Sequence, residues 1–132
     1  MIIGIGTDIC DISRIEKSID KFGQRFIDKT FTAHEQDYCE SKSGRASYYA
    51  KRFAAKEAVA KALATSSSGA LSWLDVEVHN DPSGRPKAIL YRGALERLNA
   101  KTPDGATAHV HLSLSDDYPN AVAYAMIEAR ED

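Results

Sequence analysis

Only two cysteines, Cys10 and Cys39, occur in the 132 residues, and no Cys-x-x-Cys pair is among them. At most one disulfide could form, and a zinc site needs more ligands than these thiols supply. No apolar run approaches the roughly 20 residues of a membrane-spanning helix, so no membrane partner is expected. Charge of one sign is scarce too: 17 Lys and Arg stand against 19 Asp and Glu, a net charge of −2. A general nucleic-acid coat needs a broad basic surface, and no nucleic-acid partner is expected. Gly4-Ile5-Gly6 lacks the third glycine and the spacing of a dinucleotide fingerprint. Ser113 lacks a Gly-x-Ser-x-Gly context, which argues against a serine hydrolase. The start, Met1 to Asp8, lacks the basic lead and the length of a signal peptide. Both cysteines are therefore expected as free thiols in a reducing cytoplasm.

The composition that remains is that of one globular domain spanning residues 1–132, with 43% hydrophobic and 27% charged residues. Charge is unevenly placed. Ser13 to Lys61 holds eleven basic and seven acidic residues (net +4), against six and twelve elsewhere (net −6). Arg14, Lys17, Lys21 and Arg25 follow spacings of three, four and four, which on a helix share one face. That face is either a solvated surface, with Glu16 and Asp20 interleaved, or a dock for an acidic protein or polyphosphate. A non-catalytic adaptor working through this face is the alternative to an enzyme.

The periodicities predict an order β-α-α-α-β-β-α-β-β. An Ile-rich strand runs from Met1 to Ile9, and its Gly4 and Gly6 suit a close approach by another backbone or a ligand. Ser13-Arg14-Ile15-Glu16 reads as a capping box opening a helix to Phe22, and Thr32-Ala33-His34-Glu35 opens a second toward Ser41. A long Ala-rich helix follows from about Ala46 to Ala64, ended by a Thr65–Gly69 loop. Alternation predicts a strand from Trp73 to His79, paired through an Asp81–Gly84 turn with Pro86–Tyr91. A short helix is expected over Arg92–Ala100, then strands over Thr107–Ser115 and Ala121–Ala129. Early helices and late hairpin-linked strands make an α+β fold, a mainly antiparallel sheet against the Ala-rich helix.

Three groups could carry chemistry. Glu57 and Lys61 stand at i, i+4, either as a plain helix salt bridge or as a carboxylate and ammonium holding a metal ion and a phosphate. Asp8 is either a strand-end cap or a ligand. If Asp8 and Glu57 converge, two hard oxygen ligands suit Mg²⁺, which keeps several waters and draws on substrate phosphates. His109 and His111 share one strand face with no evident third metal ligand; a place on the exposed sheet face, or a bond to a loop, suits them better than a metal does.

Gly4-Ile5-Gly6-Thr7-Asp8-Ile9, Arg14-Ile15, the run from Arg52 to Ala62, Gly84-Arg85-Pro86 and His111-Leu112-Ser113-Leu114-Ser115-Asp116 together resemble a known family. It is the holo-[acyl-carrier-protein] synthases, the small stand-alone bacterial 4'-phosphopantetheinyl transferases. The resemblance implies the transferase fold and transfer of the phosphopantetheine arm of coenzyme A to a serine of apo acyl carrier protein. Adenosine 3',5'-bisphosphate leaves. It implies Mg²⁺ held by Asp8 and Glu57, Lys61 against the phosphate under attack, and contacts of coenzyme A with Arg52, Lys61, Gly84, Arg85 and Pro86. Arg14 would meet the acidic carrier protein, with Lys17, Lys21 and Arg25 added by periodicity. Glu57, or Asp116 with His111 orienting its loop, would take the serine proton. A homotrimer with sites between subunits is implied as well. The chain departs from the family's usual run at Cys10, and the family varies at the position of Asp116.

Overall fold

The computed structural model describes residues 1–64 and 71–132, so the expected Thr65–Gly69 loop lies outside the described residues. The order is β1 (Ile2–Asp11), α1 (Ile12–Phe22), α2 (Gln24–Thr30), α3 (Ala33–Glu40), α4 (Arg45–Ala62), a 3-10 turn (Trp73–Asp75), β2 (Val76–Asn80), β3 (Pro86–Leu90), α5 (Arg92–Lys101), β4 (Ala106–Asp117) and β5 (Asn120–Glu131). The α+β expectation holds: β1, β5 and β4 form one antiparallel sheet in that order, and β2 pairs with β3 in a second. No helix among the described residues is long and apolar enough to cross a membrane.

The sheet's inner face is built from small residues. Ala121, Ala123, Ala125, Ile127 and Ala129 of β5 alternate inward and are buried. α4 lies across them with Ala54, Ala55, Ala58, Val59 and Ala62 buried. Its backbone also meets β1. A Cβ on Gly4 would stand 2.0 Å from the Ala62 carbonyl oxygen, and one on Gly6 would stand 2.0 Å from that of Ala58. The two strand glycines therefore mark a close approach of backbone to backbone.

Three local expectations give way. The first helix starts at Ile12, because Asp11 rather than Ser13 is its cap: the Asp11 carboxylate accepts from the Ser13 amide at 2.9 Å and from its hydroxyl at 2.7 Å. Gly23, at φ 60°, ends α1 and a further helix, α2, begins directly after it with no side-chain cap. Arg25 thus sits on a different helix from Arg14, Lys17 and Lys21, and the continuous stripe is broken. Trp73 to Asp75 is a 3-10 turn rather than strand, held by the Ser72 hydroxyl accepting from the Leu74 amide at 3.2 Å. The Thr32 capping box is present, with Thr32 and Glu35 each accepting from the other's amide.

Candidate active site

Asp8 follows Gly4 and Gly6 on the face of β1 that meets α4, in register with Ala123 of β5, which pairs with Leu114 of β4. Glu57 lies on α4. The two carboxylates, remote in sequence, line one cleft of about 260 Å³. Arg14 of α1 stands at the same cleft, and Cys10, Ile15, Phe26 and Phe53 supply its apolar wall. Phe53 is itself backed by Trp73, with ring centroids 4.6 Å apart.

Lys61 crosses from α4 to β1. Its ammonium donates to Asp8 Oδ1 at 3.0 Å and to the Thr7 carbonyl at 3.0 Å. Asp8 is largely covered (17% side-chain exposure) while Lys61 keeps 52%. The ammonium is thus held beside the carboxylate yet still faces solvent, where a phosphate can approach.

No group of three or more His, Cys, Asp or Glu side chains suited to a metal exists among the described residues. A metal cage made by this chain alone is therefore not part of the described structure. Two carboxylates lining one cleft do fit a hard cation that completes its shell from water and phosphate oxygens.

Several other residues lie elsewhere. Lys56, adjacent to Glu57, points into the protein and pairs with Glu35 at 2.7 Å. Arg52 is 2% exposed; it donates to Asn80 Oδ1 at 2.5 Å and stacks over Tyr38, 4.0 Å from the ring centroid. Asn80 donates in turn to the Gly84 carbonyl at 3.0 Å, so Arg52 is joined to the Gly84-Arg85-Pro86 turn through one side chain. The Asp81 carboxylate closes that turn by accepting from Ser83 and Arg85.

Asp116 shares the helix-facing side of the sheet, in the row Cys10–Ala121–Asp116, but its carboxylate is held by Lys51 at 3.0 Å. His111 points to the opposite face, 3.1 Å from Glu128. The structure does not bring His111 and Asp116 together, because odd and even positions of β4 face opposite ways. On the helical surface, Arg14, Lys17 and Lys21 are exposed on α1. Arg25 borders a separate hollow with Phe22, Phe26 and Lys29.

A more open hollow of about 470 Å³ between α2, α3 and β2 has its polar groups already engaged. Glu77 accepts from Tyr91 and pairs with His79 at 2.6 Å, and Arg92 is tied to Asp75 at 2.8 Å. Of the two, it is the smaller cleft that gathers the candidate residues Asp8, Glu57 and Arg14. Its aromatic wall is not anticipated from the sequence, although Phe53 and Glu57 at i, i+4 on one helix were a usable signal.

Burial pushes the Cys10 thiol up from 9.0 to about 11, with the nearby Asp8 charge adding to it. Burial likewise drives Cys39 up to about 12. Less of each thiol is then thiolate, and the greater nucleophilicity of a more basic thiolate offsets only part of that loss. Native protein at pH 8 is thus expected to react with a disulfide reagent at least about 10-fold more slowly than free cysteine, through scarce thiolate and burial together. Denaturant should release both thiols, and rapid native labelling of Cys10 would contradict its place in the apolar wall.

The sequence profile of the 4'-phosphopantetheinyl transferase superfamily matches residues 4–123, and the chain belongs to that superfamily. Within it, the chain is 54% identical over 129 residues to the holo-[acyl-carrier-protein] synthase of Caulobacter sp. (strain K31), covering 98% of this chain and 97% of that one. The fold is similar to the crystal structure of holo-[acyl-carrier-protein] synthase from Neisseria meningitidis, with TM-score 0.82, 38% identity and coverage of 97% and 99%. It is also similar to the Helicobacter pylori synthase in complex with coenzyme A, with TM-score 0.78, 29% identity and coverage of 94% and 99%.

Proposed function

We propose that residues 1–132 act as one catalytic domain that transfers the 4'-phosphopantetheine arm of coenzyme A to a serine of apo acyl carrier protein. Adenosine 3',5'-bisphosphate is the second product. The observation that carries this reading is the convergence of Asp8 and Glu57 on one cleft, with Lys61 bonded to Asp8 and Arg14 at the edge. A diphosphate needs cations on its spectator oxygens and an in-line approach more than it needs covalent help.

Asp8 and Glu57 would hold Mg²⁺. Bound there, the ion would neutralise charge on the coenzyme A diphosphate. The Lys61 ammonium, half exposed beside Asp8, would hold the oxygens of the phosphate under attack. Serine Oγ bonds to the phosphorus that carries pantetheine, and the bond from that phosphorus to the bridging oxygen breaks, leaving its electrons with adenosine bisphosphate. The serine proton goes to a carboxylate. Glu57 lines the cleft that would hold the metal and the diphosphate, whereas Asp116 is not part of that lining and His111 lies across the sheet, so the acceptor's place falls to Glu57. Arg52, through Asn80, would hold the Gly84-Arg85-Pro86 turn against the nucleotide end.

Arg14, Lys17 and Lys21 give α1 an exposed basic face beside the cleft, with Arg25 next to it on α2. An acidic carrier protein would be steered there. The outer face of the sheet leaves Ile5, Ile9, Val122 and Tyr124 at 58%, 66%, 38% and 45% exposure. Such an apolar face suits cover by further copies of this chain, as in a homotrimer. Two free buried thiols suit a cytoplasmic enzyme.

The test is incubation with coenzyme A, Mg²⁺ and an apo acyl carrier protein. The carrier should gain one phosphopantetheine, about 340 Da by formula, as expected for a group carrier. Salt-sensitive binding of the carrier with no mass gain and no adenosine bisphosphate would favour the adaptor instead.

A further inference from the structure

Lys56 and Glu35 form a charge pair that the cleft does not see. Their side chains are 1% and 0% exposed, and they stand 2.7 Å apart. The Lys56 ammonium also donates to the Trp73 carbonyl at 2.8 Å and to the Val76 carbonyl at 2.5 Å, so all three of its donors are used. Glu35 accepts from the Thr32 amide with one oxygen and from the Val78 amide with the other, both at 2.9 Å. One pair therefore ties α4 to α3, to the 3-10 turn and to β2.

Stability alone is a poor reason for such a pair. Replacing a buried ion pair by apolar residues of similar volume is often neutral or stabilising, whereas fixing one arrangement among several is something it can do. α4 needs that service. Its buried surface is mostly alanine, and the contacts with Gly4 and Gly6 are backbone contacts. Such contacts set how near the helix comes to β1. Tyr49 and Arg52 anchor the first half of the helix on Glu40 and Asn80, but from Ala54 to Ala62 its buried side chains are alanine apart from Lys56 and Val59, which leaves the part that carries Glu57 with few large side chains to lock its rotation. Successive residues on a helix are turned by about 100°, so whatever holds Lys56 inward also directs its neighbour Glu57 toward the cleft. The same pair holds the carbonyl of Trp73, whose ring backs Phe53 in the cleft wall.

We infer that the buried Lys56–Glu35 pair is a positioning device that sets the rotation of α4 and thereby the place of Glu57 in the cleft. The inference rests on the reading of Asp8 and Glu57 as metal ligands.

The test compares wild type with the Glu35→Gln/Lys56→Met double variant and with Lys56→Arg. The double variant removes both charges, keeps volume, and leaves an amide oxygen able to accept from the Val78 amide. Mn²⁺ binding is measured by calorimetry with coenzyme A present and no carrier protein, alongside the thermal melt and the emission of Trp73, the sole tryptophan. The double variant should melt cooperatively within a few degrees of wild type, bind Mn²⁺ at least about 10-fold more weakly, as loss of an outer-shell partner does, and shift the Trp73 emission. Lys56→Arg, which keeps the cation, should recover part of that affinity. A double variant that binds Mn²⁺ like wild type overturns the positioning role alone. One that no longer melts cooperatively also overturns it, since the pair then holds the whole fold. Wild type that binds no Mn²⁺ overturns the metal site and this inference together.

Discussion

Glu57→Gln and Asp8→Asn should each lower kcat/KM by about 1,000-fold or more through loss of charge at the metal and the diphosphate. Both changes keep shape and remove one negative charge from the cleft. Asp8→Asn also removes the acceptor charge of the Lys61 pair, but that pair has a half-exposed cation and such pairs contribute about 0–1 kcal/mol. The melting temperature should therefore stay near that of wild type while turnover collapses. Raising Mg²⁺ should recover part of the lost rate in Asp8→Asn, because weakened binding is offset by concentration, but little in Glu57→Gln, which also lacks the proton acceptor. Steady-state rates across a Mg²⁺ titration, with melts on the same samples, check the assignment. Either variant turning over at the wild-type rate with the wild-type Mg²⁺ dependence would remove that carboxylate from the site.

Where the chain repeats a period, its sequence could be read. β4 alternates and is strand over Ala106–Asp117; the run around Lys56 is Ala-rich and is helix over Arg45–Ala62. Gly4 and Gly6, odd in an Ile-rich strand, pointed to a close backbone approach, and the carbonyls of Ala58 and Ala62 supply it. Features decided by one contact were less legible. α2 opens at Gly23 with no side-chain cap, and a lone glycine marks the end of one helix without announcing that another follows. Ser13 looked like a cap, yet Asp11 accepts from it. Lys56 and Lys61 look alike in sequence. One is buried against Glu35 and the other lies at the cleft, and only the packing of α3 and β2 on α4 separates them. The meeting of Asp8 with Glu57 could be posed from the residues only as a condition, because nothing local couples a strand end to a mid-chain helix. The resemblance to a family of transferases supplied what the periodicity could not.

That meeting depends on the glycines, and Gly6→Ala should show it. A Cβ on Gly6 would stand 2.0 Å from the Ala58 carbonyl oxygen and 2.8 Å from the Ala62 amide nitrogen, both backbone atoms of α4. Neither atom belongs to a side chain that can turn aside, so strand or helix must move as a unit. Overpacking of this kind costs about 3 kcal/mol, the upper end of the usual range, because the obstruction is main chain. Gly105→Ala is the control. Gly105 has φ 80° and nothing within 4 Å of the added carbon, so it bears only the strain of a left-handed residue, about 1–2 kcal/mol. Chemical denaturation should rank Gly6→Ala as clearly the more destabilised of the two. Activity separates them further. Asp8 is two residues beyond Gly6 on the same face of β1, and Glu57 adjoins Ala58 on the helix that would be pushed away. The folded fraction of Gly6→Ala should thus turn over more slowly than wild type at saturating coenzyme A, and Gly105→Ala should not. Equal stability of the two variants would mean that β1 and α4 are not in the contact on which the cleft is built.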